Sequence, residues 1–239
     1  MTSHTEPYEE LRSKSVPGLF LERAKRTPED VAYRAKKLGI YKERTWKTFK
    51  QKVANSAMGL MALGLKRGDR LALMGDPCEE YAICELAAQS LGAVTYGLYP
   101  TSSPKEVNYL MKDGEACIFV AENQEYVDRI LPLYDELPKL RHVIVIDTTG
   151  TFMYDHSALV SYDDLTAKGR EVLDADAGAF EEEVRKVNPT DDLFIVYTSG
   201  TTGSPKGVLI SHGKHLAAAY TLIDRYPILA EIPHRTVVY

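Results

Sequence analysis

The chain has 239 residues, a formal net charge of −5 and an apolar fraction of 44%. That is enough to bury a sizeable core as one large or two small domains, and the acidic balance gives no electrostatic case for a nucleic-acid partner. Cys78, Cys84 and Cys117 lack metal-ligand spacing, Met1 to Pro17 contain no signal-like apolar stretch, and no apolar run reaches the ~18 residues that span a bilayer. A soluble, cytoplasmic protein with reduced thiols is expected, with peripheral membrane contact left open.

Val16 to Arg26 reads as an amphipathic helix closing before Thr27-Pro28, and Val31-Ala32-Tyr33 as a short strand. A charged turn is predicted around Lys36 to Arg44. Thr45 then caps a helix whose apolar positions, Trp46, Phe49, Val53, Ala57 and Leu60, recur at spacings of three and four until Gly64 ends it. After the turn Lys66-Arg67-Gly68-Asp69 the chain alternates between strands and helices. Strands are predicted at Arg70 to Met74, Ala93 to Leu98, Ala116 to Ala121 and His142 to Ile146. Helices fall between them at Glu79 to Leu91, Pro104 to Met111 and Gln124 to Glu136. Such alternation argues for an α/β fold with a largely parallel sheet and helices on both faces.

Thr148 to Tyr162 reads as loop, and the charged segment Asp163 to Val187, with Glu181-Glu182-Glu183, as a solvated helical face or linker. Asn188-Pro189-Thr190 then punctuates the entry to a strand, Leu193 to Val196. A second strand, Val208 to Ile210, is followed by a helix from His212 to Tyr226 with Leu216, Ala219, Tyr220 and Ile223 on one face. A boundary is placed between an N-terminal α/β subdomain at 1–187 and a strand-loop-strand-helix at 188–239, which leads into a new strand at Thr236 to Tyr239.

Between the last two helix-flanking strands runs Tyr197-Thr198-Ser199-Gly200-Thr201-Thr202-Gly203-Ser204-Pro205-Lys206-Gly207-Val208. Clusters of Gly, Ser, Thr and Pro ordinarily mark surface turns. This one is longer and more ordered: hydroxyls alternate with glycines, then come a proline and a single lysine. Glycines let backbone approach a ligand closely, while hydroxyls, N–H groups and a lysine can surround phosphate oxygens. The P-loop pattern of kinases and GTPases does not fit, because Lys206 sits between Pro205 and Gly207.

The string resembles the signature loop of the adenylate-forming (AMP-binding) superfamily, and Asp191-Asp192 and Ser211-His212-Gly213 extend the match. Gly92-Ala93-Val94, Leu98 to Ser103 and Glu106 to Leu110 are similar to the corresponding segment of long-chain fatty acyl-CoA synthetases, as are Thr45-Trp46, Gly68-Asp69-Arg70 and Asp113-Gly114-Glu115-Ala116. The resemblance implies part of the large N-terminal domain of such an enzyme. It further implies a two-step reaction in which fatty acid and ATP give acyl-AMP and pyrophosphate, and coenzyme A then takes the acyl group. By the same similarity Thr198, Ser199, Gly200, Thr201, Thr202 and Gly203 would hold the ATP phosphates, with Gly207 also easing the backbone path. Lys206 would neutralise the leaving pyrophosphate, and Thr198 would meet Mg²⁺, which prefers hard oxygen ligands.

His212, so close to the loop, is read as a capping or packing residue rather than a base. The family's later Mg²⁺-binding glutamate, ribose-binding aspartate, hinge and lid lysine are not among these residues, so an N-terminal fragment, inactive alone, is expected. An acyl-AMP ligase, another adenylation enzyme, or a non-catalytic nucleotide-binding module remain as alternatives.

Overall fold

A computed structural model describes residues 12–37, 39–198 and 203–226. Strands β3 (Arg70–Met74), β4 (Val94–Leu98), β5 (Ala116–Ala121), β6 (His142–Val145), β7 (Leu159–Ser161), β8 (Asp192–Thr198) and β9 (Lys206–Ser211) form a seven-stranded sheet in the order β7-β6-β5-β3-β4-β8-β9. Neighbouring strands are parallel except β8 and β9, which form an antiparallel hairpin. The central strands are near-continuous apolar runs because both their faces are covered; every residue of β5 is buried.

Successive side chains of a strand point to opposite faces, and this divides the interior into two cores. Leu71, Leu73, Ile118, Val120 and Ile144 pack with α1 (Val16–Arg26), α2 (Trp46–Ala62), α3 (Glu79–Ser90), α6 (Tyr162–Ala175) and α7 (Ala179–Arg185). Ala72, Met74, Phe119, Ala121, Val143 and Val145 pack on the other face with α4 (Pro104–Gly114) and α5 (Gln124–Ile130). The last helix, α8 (His212–Arg225), follows the hairpin directly.

The helix starts follow local hydrogen-bonding chemistry. Ser15, Thr45, Ser161 and Ser211 each turn a side-chain oxygen to an early N–H of α1, α2, α6 and α8, satisfying donors that have no partner within the helix. At α4 the arrangement is reciprocal: the Ser103 hydroxyl accepts from the Glu106 N–H at 3.3 Å, and the Glu106 carboxylate accepts from the Ser103 N–H at 2.7 Å.

Four segments differ from the sequence reading. The charged stretch after β1 (Val31–Lys37) is a strand, β2 (Ile40–Thr45), paired antiparallel to β1 in a separate two-stranded sheet. β7 lies within the predicted loop. The charged segment after it, read as a solvated helical face or linker, is two helices, and they are not wholly solvated: Leu165, Thr166, Gly169, Phe180 and Val184 are buried. α6 packs so closely on α2 that a Cβ on Gly169 would stand 1.7 Å from the Asn55 carbonyl oxygen, and one on Gly59 2.1 Å from that of Leu165. The helix from Gln124 ends at Ile130 and tightens into a 3-10 turn, Leu131–Glu136, where Pro132 lacks the N–H that an α-helix would use. The strand expected at Thr236 to Tyr239 lies outside the described residues.

Candidate functional site

The hairpin β8–β9 joins the parallel sheet through β4, with Thr95 registered to Phe194. Because β8 runs parallel to β4, its last residue, Thr198, sits at the carboxyl edge of the sheet, where open α/β sheets place their ligands. The strands pair from Asp192 opposite Ser211 to Thr198 opposite Lys206. The hydroxyl- and glycine-rich string is therefore the connection between two registered strand ends.

At that end Thr198 and Lys206 are both exposed, and the Thr198 hydroxyl donates to the Lys206 carbonyl oxygen at 3.4 Å. Lys206 makes no ion pair with any described residue, so its ammonium group is not engaged by a protein carboxylate there. Gly203 has φ +130° with open space where a Cβ would stand, a backbone conformation that favours glycine. Ser199, Gly200, Thr201 and Thr202 lie outside the described residues. Gly207 has a packing reason of its own. It pairs with Tyr197, and a Cβ there would approach the Ile195 side chain to 2.9 Å and the Tyr197 ring to 3.3 Å.

Two side chains of α4 reach the hairpin, and the sequence reading gave neither a site role. The Tyr109 hydroxyl donates to the Pro205 carbonyl oxygen at 2.8 Å, and the Tyr197 hydroxyl donates to Asp113 Oδ2 at 2.9 Å. Burial and the neighbouring Asp113 carboxylate raise the Tyr197 phenol well above its ordinary value, so it stays protonated and able to donate. The available signal was the spacing: Tyr109 and Asp113 are four apart, hence neighbours on one helix face.

The base of the hairpin is tied by the residues flanking the string. Asp191 accepts an ion pair from Arg67 and a hydrogen bond from the Asn188 N–H at 2.9 Å, while its carbonyl oxygen receives the His212 N–H at 3.1 Å. The Gly213 N–H donates to the Pro189 carbonyl at 2.8 Å. His212 is wholly buried, its Nδ1 accepts from the Val16 N–H at 3.2 Å, and burial lowers its pKa to about 4. It is a neutral packing residue, in agreement with the sequence reading. Among the described residues no group of three or more His, Cys, Asp or Glu could hold a metal ion, and no helix is long and apolar enough to cross a membrane.

A mostly parallel sheet, covered on both faces and edged by this hairpin, is the architecture of the acyl-CoA synthetase-like adenylate-forming enzymes. An acetoacetyl-CoA synthetase from Streptomyces lividans superposes with a TM-score of 0.73 at 25% identity, over 88% of this chain and 32% of that one. A fatty acyl-adenylate ligase from L. pneumophila gives a TM-score of 0.67 at 17% identity, over 93% of this chain and 35% of that one, a likeness of fold. The sequence model of the AMP-binding enzyme family matches residues 20–238, and the chain belongs to that family. A long-chain-fatty-acid–CoA ligase of Mycobacterium bovis is 31% identical over 225 residues, covering 94% of this chain and 36% of the ligase. A long-chain-fatty-acid–CoA ligase of Xenopus laevis is 28% identical over 194 residues, covering 81% of this chain and 26% of the ligase. The chain thus spans about a third of the length of its relatives or less.

Proposed function

We propose that this chain is the phosphate-holding N-terminal part of an ATP-dependent, AMP-forming long-chain fatty acid–CoA ligase. The reaction would start with attack of a fatty-acid carboxylate oxygen on the α-phosphorus of ATP; the bond to the β-phosphate bridging oxygen breaks and pyrophosphate leaves. The coenzyme A sulfur would then attack the acyl carbon and expel AMP. The observation that carries this reading is the string Tyr197 to Val208, set between registered strand ends at the carboxyl edge of the sheet. The 31% identity to a long-chain-fatty-acid–CoA ligase supports the choice of substrate class.

Phosphoryl chemistry asks the protein mainly to position oxygens and to balance charge. In this reading Lys206, exposed and without a described carboxylate partner, neutralises the β- and γ-phosphates and the departing pyrophosphate. Thr198, Ser199, Thr201 and Thr202 offer hydroxyls to the phosphate oxygens, and Gly200 and Gly203 let the backbone N–H groups approach. Thr198, an exposed hydroxyl at the carboxyl edge of the sheet, would give Mg²⁺ one protein oxygen beside the substrate phosphates, as a Ser or Thr hydroxyl does in P-loop sites. Mg²⁺ held there would supply further charge neutralisation at the phosphates.

Because the chain spans about a third of its relatives, we also propose that these 239 residues alone do not complete the reaction. The test is to incubate the full-length protein with palmitate, ATP, Mg²⁺ and coenzyme A. Palmitoyl-CoA and AMP formed in equal amounts support the ligase. Acyl-AMP without thioester would replace it with an acyl-AMP ligase, and no fatty-acid-dependent AMP would reject both.

A further inference from the structure

The hairpin is held at its two stems by one helix. Tyr109 and Asp113 stand one turn apart on α4; one binds the returning stem through Pro205 and the other the outgoing stem through Tyr197, at 2.8 and 2.9 Å. These bonds span 96 and 84 residues of sequence, so the hairpin's own turn does not require them. The contact is reinforced by aromatic packing. Tyr197 meets Tyr96 of β4 edge-on at 5.7 Å between centroids. Tyr96 in turn presses on the end of α4, where a Cβ on Gly114 would come within 2.5 Å of its ring. Gly207 leaves room for Tyr197 on the neighbouring strand. α4 itself is set by the reciprocal Ser103–Glu106 cap.

We propose that Tyr109 and Asp113 are positioning residues: together they clamp both stems of the hairpin onto α4 and thereby set where Thr198 and Lys206 present their polar groups. The inference rests on the phosphate-holding reading above for its purpose, but its geometry does not. A clamp at two points removes the rocking of a two-stranded hairpin about its single registered pair with β4. That order is what a site acting by positioning requires.

The test uses the full-length protein carrying Tyr109→Phe with Asp113→Ala, Tyr109→Phe with Asp113→Asn, or Lys206→Ala. Hydrogen–deuterium exchange at Tyr197–Thr198 and Ser204–Gly207 reports the clamp, and the KM for ATP in fatty-acid-dependent ATP–pyrophosphate exchange reports its purpose. The Phe/Ala pair should speed exchange at both stems and raise KM about tenfold each, the scale of losing two ordinary hydrogen bonds. The Phe/Asn pair, whose amide oxygen still accepts from Tyr197, should recover a large part of both. Unchanged stem exchange, or a loss of thermal stability alone with Asn no better than Ala, overturns the clamp. Faster stem exchange together with an unaltered KM in Lys206→Ala supports the clamp and overturns the phosphate reading on which its purpose rests.

Discussion

Titration of His212 should govern a distinct part of this protein's acid sensitivity. Its imidazole is fully buried and its Nδ1 is used as an acceptor by Val16, so protonation would both desolvate a charge and break that bond. Burial lowers the pKa from 6.5 to about 4, with smaller effects from Asp191, His215 and Arg67. Above pH 6.5 the imidazole is neutral folded or unfolded and costs nothing. Between 6.5 and 4 the unfolded chain takes up the proton and the folded chain resists it, so stability falls as pH falls. At about 1.4 kcal/mol per pH unit, the full loss approaches about 3 kcal/mol by pH 4. His212→Asn keeps an acceptor for Val16 and deletes the titration, at a cost of about 1–2 kcal/mol in packing at pH 7. Urea unfolding followed by the fluorescence of Trp46, the single tryptophan, should show wild type more stable at pH 7, with the two curves converging and crossing before pH 4. Carboxylates that titrate in this range act on both proteins and cancel in the difference. Parallel curves over the whole interval would refute the reasoning.

A methyl group at the α2–α6 crossing has nowhere to go: Gly169→Ala should lower stability by about 3 kcal/mol, read as a fall in urea midpoint at unchanged slope, given the 1.7 Å approach to Asn55. Glu79, with 8% of its side chain exposed, accepts from Tyr33, Arg44 and Lys52 at 2.7, 2.8 and 2.9 Å. Burial alone would raise its carboxyl, but these donors outweigh it and hold the pKa at about 2. Glu79→Gln should therefore cost about 3 kcal/mol at pH 7, a penalty that shrinks as pH falls from 4.5 towards 2 because the wild-type carboxylate is lost there; chemical unfolding at pH 7 and pH 3 checks it.

The apolar strands were legible because β3, β5 and β6 are buried on both faces and read as near-continuous apolar runs, with polar residues only at the first positions, Arg70 and His142. β2 was not: Ile40-Tyr41-Lys42-Glu43-Arg44-Thr45 has four exposed and two half-buried residues, so its composition is that of a turn. Its strand character comes from pairing with β1, which no local pattern encodes. A helical face was legible over α6, but its charge concealed the buried stripe of Leu165, Thr166 and Gly169, where the glycine marks the crossing with α2. In the proposed site the string Tyr197 to Val208 stands out by residue type and order. Tyr109 and Asp113 did not, because their partners are more than eighty residues away and only the packing of α4 brings them together.

The central claim is that this hairpin holds the phosphates of ATP through Lys206. Fatty-acid-dependent ATP–pyrophosphate exchange by the full-length protein, wild type against Lys206→Ala, tests it most directly. Removing a preorganised cation from a phosphoryl site should cut exchange by about a hundredfold or more while the urea midpoint stays within experimental scatter, since Lys206 is exposed and makes no ion pair with the described residues. Exchange retained at the wild-type rate in Lys206→Ala would contradict the account.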